Sequence, residues 1–569
     1  MRKKIVRYGA LMFAGSLTAL SLAACGGRTS TANSGKTAES TNLPVDESGN
    51  PSALGKYKEP VTVEIVQSIN PTQSFPAGQT VEDNQYTKYV KEVMNIDIKI
   101  KWQAANGDDY TQKQNLAIAS NDLPDIMRVG QTQFKELADS DLIEDLTDVY
   151  AKYASDTMKY VLDTTKGEAI ETATMDGKLY GLPGVTPEAD SYNLMWIRQD
   201  WLDKLGLEVP ETVEDLQKVA QAFVDNKMGG EQTAGILGAS ANNNLYNNFL
   251  SPANNLLTFD AIFSAYKAWP GFWIEDTNGD PIYGSITPET KETLAKLQEM
   301  YKSGALDQEL GARKDADEAW KSGKAGILFT PWWQGYSIKD ALVNDPEASW
   351  IAYALPLAED GKWYPKMANS TSTFLVVRKG YEHPEAAVLL NNYLLRDEAT
   401  FDTTAVDPQY YPGRVVMSPA DENAYTVTQL KKVLNGEAPD DYDKAIYKNL
   451  TKDLDSLKNV KLEPYGNLRI ATWNSDDDNF GRIYSMLCGS ARVNEADEAG
   501  NIERVYSKIY NQTTTMEKKW ANLKKLEDET FLKIIIGESS VDEFDKFVEQ
   551  WKAEGGDEIT KEVKEYAAK

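Results

Sequence analysis

Val61-Thr62-Val63-Glu64-Ile65-Val66 is the stretch on which the fold turns. Five of its six residues are β-branched, the composition of a strand buried in a sheet. A second run follows in which Ile96, Ile98, Ile100 and Trp102 alternate with polar residues, the period of a strand. Between the two, Asn84 to Met94 carries Tyr86, Tyr89, Val90 and Val93 at helical spacing. Strand, helix, strand at the start of the folded part predicts an α/β lobe.

Toward the C-terminus the alternation continues. Tyr110 to Ala119 reads as a helix closed by Ser120-Asn121-Asp122-Leu123-Pro124, and Asp125-Ile126-Met127-Arg128-Val129 as a short buried strand, with another helix starting near Gln133. Asn193-Leu194-Met195-Trp196-Ile197-Arg198 is a further apolar strand, where the chain is expected to change lobe. Thr212 is placed to cap a helix whose inner stripe is Leu216, Val219, Ala220 and Phe223. Trp273 to Tyr283 predicts a hairpin around Asn278-Gly279, a favoured type I′ pair, followed by a helix from Pro288. Ala325-Gly326-Ile327-Leu328-Phe329-Thr330 reads as a buried strand. Thr373-Phe374-Leu375-Val376-Val377 and a helix from about Pro384 mark an expected return to the first lobe. Near the end, Ser540-Val541-Asp542-Glu543 has the form of a capping box before a stripe of Phe544, Phe547, Val548 and Trp551.

Toward the N-terminus the chain changes character. Arg2, Lys3, Lys4 and Arg7 precede an apolar run from about Tyr8 to Ala24, too short to span a membrane comfortably and typical of an export signal. It ends in Leu22-Ala23-Ala24-Cys25, which resembles a bacterial lipoprotein box. Residues 1–24 are therefore expected to be removed and the Cys25 thiol acylated. The chain would then be held at the outer face of the cytoplasmic membrane, most simply of a Gram-positive cell. Residues 25–57, rich in Gly, Ser, Thr and Asn, are expected to be a flexible tether.

Length and charge bound the rest. The 569 residues exceed one ordinary core, and 41% hydrophobic with 26% charged residues is the composition of a globular protein. A formal charge of −27 without a dense basic block beyond the first residues makes nucleic acid a poor partner. With Cys25 spoken for, Cys488 has no thiol to pair with and reads as a buried small residue. The single histidine, His383, rules out a two-histidine zinc motif and reads as an exposed residue before a helix. Asp276-Thr277-Asn278-Gly279-Asp280 begins like a calcium loop, but Pro281 stands where glycine is wanted and Thr287 where a bidentate glutamate is wanted. No metal or other cofactor is expected.

Several segments together resemble the family 1 extracellular solute-binding proteins. They are Leu116-Ala117-Ile118-Ala119-Ser120-Asn121-Asp122-Leu123-Pro124-Asp125-Ile126, Asp176-Gly177-Lys178-Leu179-Tyr180-Gly181-Leu182-Pro183 and Arg198-Gln199-Asp200-Trp201-Leu202-Asp203-Lys204-Leu205-Gly206-Leu207. Further matches lie at His383-Pro384-Glu385-Ala386, at Ile534-Ile535-Ile536-Gly537-Glu538 and at Trp551-Lys552-Ala553-Glu554-Gly555-Gly556. The resemblance implies a two-lobed periplasmic-binding-protein type II fold with a hinge and a ligand cleft between the lobes. It implies a first lobe of 58–192 and about 373–460, and a second of 193–372 and about 461–569. It also implies a monomeric receptor, not an enzyme, that hands a carbohydrate to an ABC permease.

Sugars offer hydroxyls and apolar C–H faces, so aromatic rings flanked by polar side chains are the expected contacts. The chain has 13 Trp and 29 Tyr, types that also fill cores. The first candidate is Pro331-Trp332-Trp333-Gln334, after a buried strand; it also resembles the segment in which a Pro-Trp pair of maltose-binding protein supplies a stacking ring, which carries over to Trp332. Trp269, Trp273, Trp363 and Trp473 follow, with Gln67, Asn70, Arg128, Asn193 and Arg198 as polar candidates. The rivals are a secreted glycoside hydrolase or polysaccharide lyase, since two carboxylates suffice and Asp476-Asp477-Asp478 offers several, a receptor for peptide or another polar solute, and a surface adhesin.

Overall fold

A computed structural model describes residues 42–69, 75–238, 245–251, 256–313, 315–354, 357–402, 408, 411–460 and 479–567. The opening is strand, helix, strand as the hydrophobic pattern requires: β1 (Val61–Ile69), α1 (Gln85–Met94), β2 (Ile96–Ala105), α2 (Asp108–Ala119), β3 (Ile126–Gly130) and α3 (Gln131–Asp139). The Asn84 side chain caps α1 by accepting from the Tyr86 and Thr87 amides. Five more strands matter for the site: β4 (Leu182–Pro183), β5 (Asn193–Arg198), β6 (Ala234–Ile236), β7 (Ala325–Pro331) and β8 (Trp350–Tyr353). They are followed by β9 (Thr373–Val377) and the helix α4 (Glu385–Asp397).

The strands form two sheets, in the orders β2-β1-β3-β9-β4 and β8-β5-β7-β6. In the first, β1 runs parallel to β2 and β3, and β9 runs antiparallel to β3 and β4. One core gathers apolar residues from Tyr57 to Val185 and from Phe374 to Met417. Two others hold residues from Tyr192 to Met367 and from Val427 to Val563. The chain therefore passes between the cores near 186–191, 368–373 and 418–426. These crossings are hydrogen-bonded together: the Gly184 amide donates to the Thr373 carbonyl and that of Thr186 to Ser370, both at 2.8 Å, and that of Glu188 donates to Ala420 at 3.1 Å. Val427, Leu430, Leu457 and Val460 pack in the third core, whereas the expected first lobe ran on to about 460.

Four local expectations need correction. Residues 42–57 do not read as a tether: Val45 and Lys56 exchange backbone hydrogen bonds, and the Ala53 and Leu54 carbonyls accept from Asn392 and Tyr393 of α4. Backbone groups satisfied this way no longer face water, so the segment docks. The 273–283 hairpin forms with Glu275 opposite Pro281, but of its turn residues only Gly279 takes a positive φ, at 83°. A type I′ turn needs two such residues in succession; here the Asp276 amide donates to Asp280 across a longer turn. The late helix starts at Glu543 with Asp542 in the cap position and no side-chain cap, so the capping box does not form. Finally, β2 does not alternate throughout. Its register against β1 shifts so that Ile65 faces Ile100 while Val66 faces Trp102. The extra residue, Lys101, puts Trp102 on the face opposite Ile100.

Candidate functional site

The carboxyl end of β3 and the start of β9 lie side by side, with Gly130 registered against Thr373. Two cavities open there, of about 550 Å³ and about 380 Å³. Both are lined by Gly130, Gln133, Thr186 and Ser372, so they form one cleft. Its walls come from the first sheet, from the crossings, and from Phe249, Leu250, Tyr510 and Gln512, of which Phe249 belongs to the second core. A volume of this size suits a small polar ligand of several rings.

The first-sheet wall is built from α2 and β3. Tyr110, Lys113 and Gln114 fall three and four residues apart, hence on one helix face. Gln114 ties that face to the sheet by donating to the Arg128 carbonyl at 2.8 Å. Tyr110 packs at 5.5 Å against Trp102, the residue turned over by the bulge, and the Lys113 ammonium sits 5.2 Å above the Trp102 ring. Burial pushes the Tyr110 phenol up to about 12. Beside it, Arg128 lines the larger cavity; burial lowers its affinity for a proton, and no carboxylate of the described residues bonds to it. The nearby Arg414 has its own partners in Glu398. The first turn of α3 carries neither an acidic residue nor a side-chain cap, so its amides remain donors at the cleft.

Across the cavity, Asp190 accepts from the Trp332 indole N–H at 2.9 Å. Burial raises the Asp190 carboxyl and this hydrogen bond opposes the rise. Trp332, the first candidate, thus stands one residue behind the wall. It is buried in the third core, where Gly489 comes so near that a Cβ there would lie 2.5 Å from the Trp332 carbonyl oxygen. Its neighbour Trp333 is half-buried on the same core.

The structure separates the remaining candidates. Trp273 is fully buried, 5.1 Å from Tyr283, which stacks on Trp551 at the same distance. Trp269 is half-buried and donates to the Tyr364 carbonyl. Trp363 packs on Tyr192 and, with Asn193, lines a cavity of about 20 Å³, room for about one water. Asn193 donates to the Thr258 hydroxyl at 3.0 Å. Gln67 is buried in β1 and turns back to the Ser68 carbonyl. Arg198 is buried against Asp200 and Asp345. Asn70, Trp473 and Cys25 lie outside the described residues. Sequence reasoning passed over Tyr110 as a helix residue and Trp102 as a strand residue. Tyr110 was findable, as the aromatic that opens a helix between two strand ends; Trp102 was not, because the bulge has no sequence signature.

Away from the cleft, His383 is not exposed but packs between Tyr57 and Tyr381, 3.3 Å from Glu385. Cys488 is buried, and burial raises its thiol. In the 276–280 turn, Asp276 accepts from the Asn278 and Asp280 amides and Asp280 pairs with Lys564. Among the described residues no helix is long and apolar enough to cross a membrane.

Residues 77–401 match the family model for bacterial extracellular solute-binding proteins. A protein of Bacillus subtilis strain 168, named polygalacturonan/rhamnogalacturonan-binding protein YtcQ, is 23% identical over 493 residues, 84% of this chain and 87% of its own. The fructooligosaccharide ABC transporter substrate-binding protein FusA of Streptococcus pneumoniae serotype 4 is 27% identical over 213 residues, 35% of this chain and 38% of its own. The crystal structure of the alginate-binding protein AlgQ2 without calcium ion superposes with a TM-score of 0.58 at 16% identity, covering 90% of this chain and 99% of that one. The shared fold is that of the periplasmic-binding-protein type.

Proposed function

Because this chain belongs to the bacterial extracellular solute-binding protein family, we propose that it captures an oligosaccharide outside the cytoplasmic membrane and delivers it to an ABC permease. One observation carries the reading: a single cleft whose walls come from both sides of three hydrogen-bonded crossings. We take those crossings as the hinge between two lobes built on the two sheets. Contacts from both walls form together only when the hinge closes, so affinity and closure are coupled. The relatives named for polygalacturonan and fructooligosaccharide binding support a sugar as solute.

The protein binds without chemistry, acts as a monomer, and is anchored through acylated Cys25. Neither Arg128 nor Asp190 has a second carboxylate beside it on the wall of the larger cavity, so the paired acids of a glycosidase are missing among its described lining residues. Calorimetry of the purified full-length chain against neutral and acidic oligosaccharides, with product analysis of the same samples, tests the reading. Saturable binding with the sugar recovered intact is expected; cleavage of the sugar, or silence toward all sugars, overturns it. For the anchor, Cys25→Ala should release the chain into the medium, and retention at the membrane would sink that part.

A further inference from the structure

The charges on the cleft wall narrow the class of solute. Arg128 and Asp190 are the charged residues that line the larger cavity among those described, and the smaller cavity has none. Asp190 is already engaged by the Trp332 N–H, on the crossing side. Arg128 has no carboxylate partner among the described residues, whereas the Lys113 ammonium, one helical turn beyond Tyr110, holds the Trp102 ring face and the Gln103 carbonyl and lines neither cavity. In a chain with 27 excess negative charges, a half-buried guanidinium at the cleft wall with no carboxylate among the described residues calls for a ligand that supplies the anion. On the same wall stands the ring of Tyr110, backed by Trp102, an apolar surface for a sugar.

We propose that the solute is an acidic oligosaccharide, with carboxylates on its sugar units, and that Arg128 takes one carboxylate as a two-pronged partner. The guanidinium fork matches a carboxylate in geometry as well as charge, whereas a hydroxyl uses only part of it. This inference rests on the oligosaccharide reading and specifies it.

Oligomers of galacturonate, of mannuronate and guluronate, and of glucuronate, each beside its methyl ester of equal length and beside neutral oligosaccharides, separate the two claims. At low salt at least one acid should bind about tenfold or more tighter than its ester, with the difference shrinking as salt is added. Arg128→Gln should bring acid and ester to within about twofold of each other at unchanged melting temperature, and Arg128→Lys should restore part of the preference. Equal binding of acid and ester, or binding confined to neutral sugars, overturns the acidic-solute inference and leaves the receptor reading standing. Silence toward the whole panel overturns both. Because the acid and ester are compared first on the unaltered chain, the answer does not depend on any variant folding.

Discussion

Arg128 and Arg198 sit on comparable strands, one near the end of β3 and the other at the end of β5, yet they do opposite work. Arg198 is 2% exposed. It grips Asp200 with two hydrogen bonds of 2.8 and 2.6 Å, reaches Asp345 at 2.6 Å, and lies 4.5 Å from the Trp201 ring and 5.9 Å from that of Trp350. Its Nε and one terminal nitrogen are both bonded to carboxylates inside the protein. Arg128 borders a cavity and has no anion among the described residues. A cation that is satisfied internally builds the fold, and one that is left unsatisfied at a cleft is available to a ligand. The same division runs through the aromatics: Trp273, Tyr283 and Trp551 pack on one another, whereas Tyr110 stands at the cleft wall with Trp102 behind it.

The comparison breaks most readily where the effects are largest. Arg198→Ala should destabilise the chain by about 3–5 kcal/mol in urea unfolding, because it strands two carboxylates against apolar rings. Trp273→Ala, which empties a fully buried site, should cost about 3–5 kcal/mol by the same assay. Arg128→Ala should change stability by less than about 0.5 kcal/mol, since no internal ion pair is lost. A stable Arg198 variant or an unstable Arg128 variant would erase the distinction drawn here. Tyr110→Ala should weaken sugar binding about tenfold, or about 1.4 kcal/mol, in calorimetry with little effect on folding. Unchanged affinity would remove Tyr110 from the site.

A pH-dependent effect concerns Glu398, the carboxylate that holds Arg414 and Lys448. Burial alone would raise the Glu398 carboxyl, but Lys448 and Arg414 outweigh it and hold it below the usual glutamate value. A lowered folded-state pKa gives stability that is present above the unfolded pKa of about 4.3 and is lost as pH falls through the folded value. Glu398→Gln should therefore be less stable than the parent at neutral pH, with the gap closing as the pH falls below about 4. Thermal melts across that range check it; a gap independent of pH would mean that the charge of Glu398 is not what matters.

Some of this was legible in advance. The β-branched run at Val61, the run from Ile96 and the apolar strands at Asn193, Ala325 and Thr373 all became strands within three residues of their expected ends, because burying them in a sheet removes that surface from water. Arg128 was readable as a residue near a strand end, where α/β folds place ligands. Arg198 was read as a contact because it flanks the expected change of lobe, and it is buried instead, since its place in the chain says nothing of Asp345, 147 residues away in sequence.

The sequence by itself determined the alternation of strand and helix, which depends on local periodicity and composition, and the resemblance to the solute-binding family, which is carried by short segments in their order along the chain. Tertiary structure alone decided that the candidate tryptophans it describes pack away from the cleft lining, that residues 42–57 dock on α4, and that Lys101 turns Trp102 over. Those outcomes depend on partners distant in the chain and on the register between two strands. A single residue's chemistry encodes neither, because the free energy of a buried ring or charge is fixed by what surrounds it after folding.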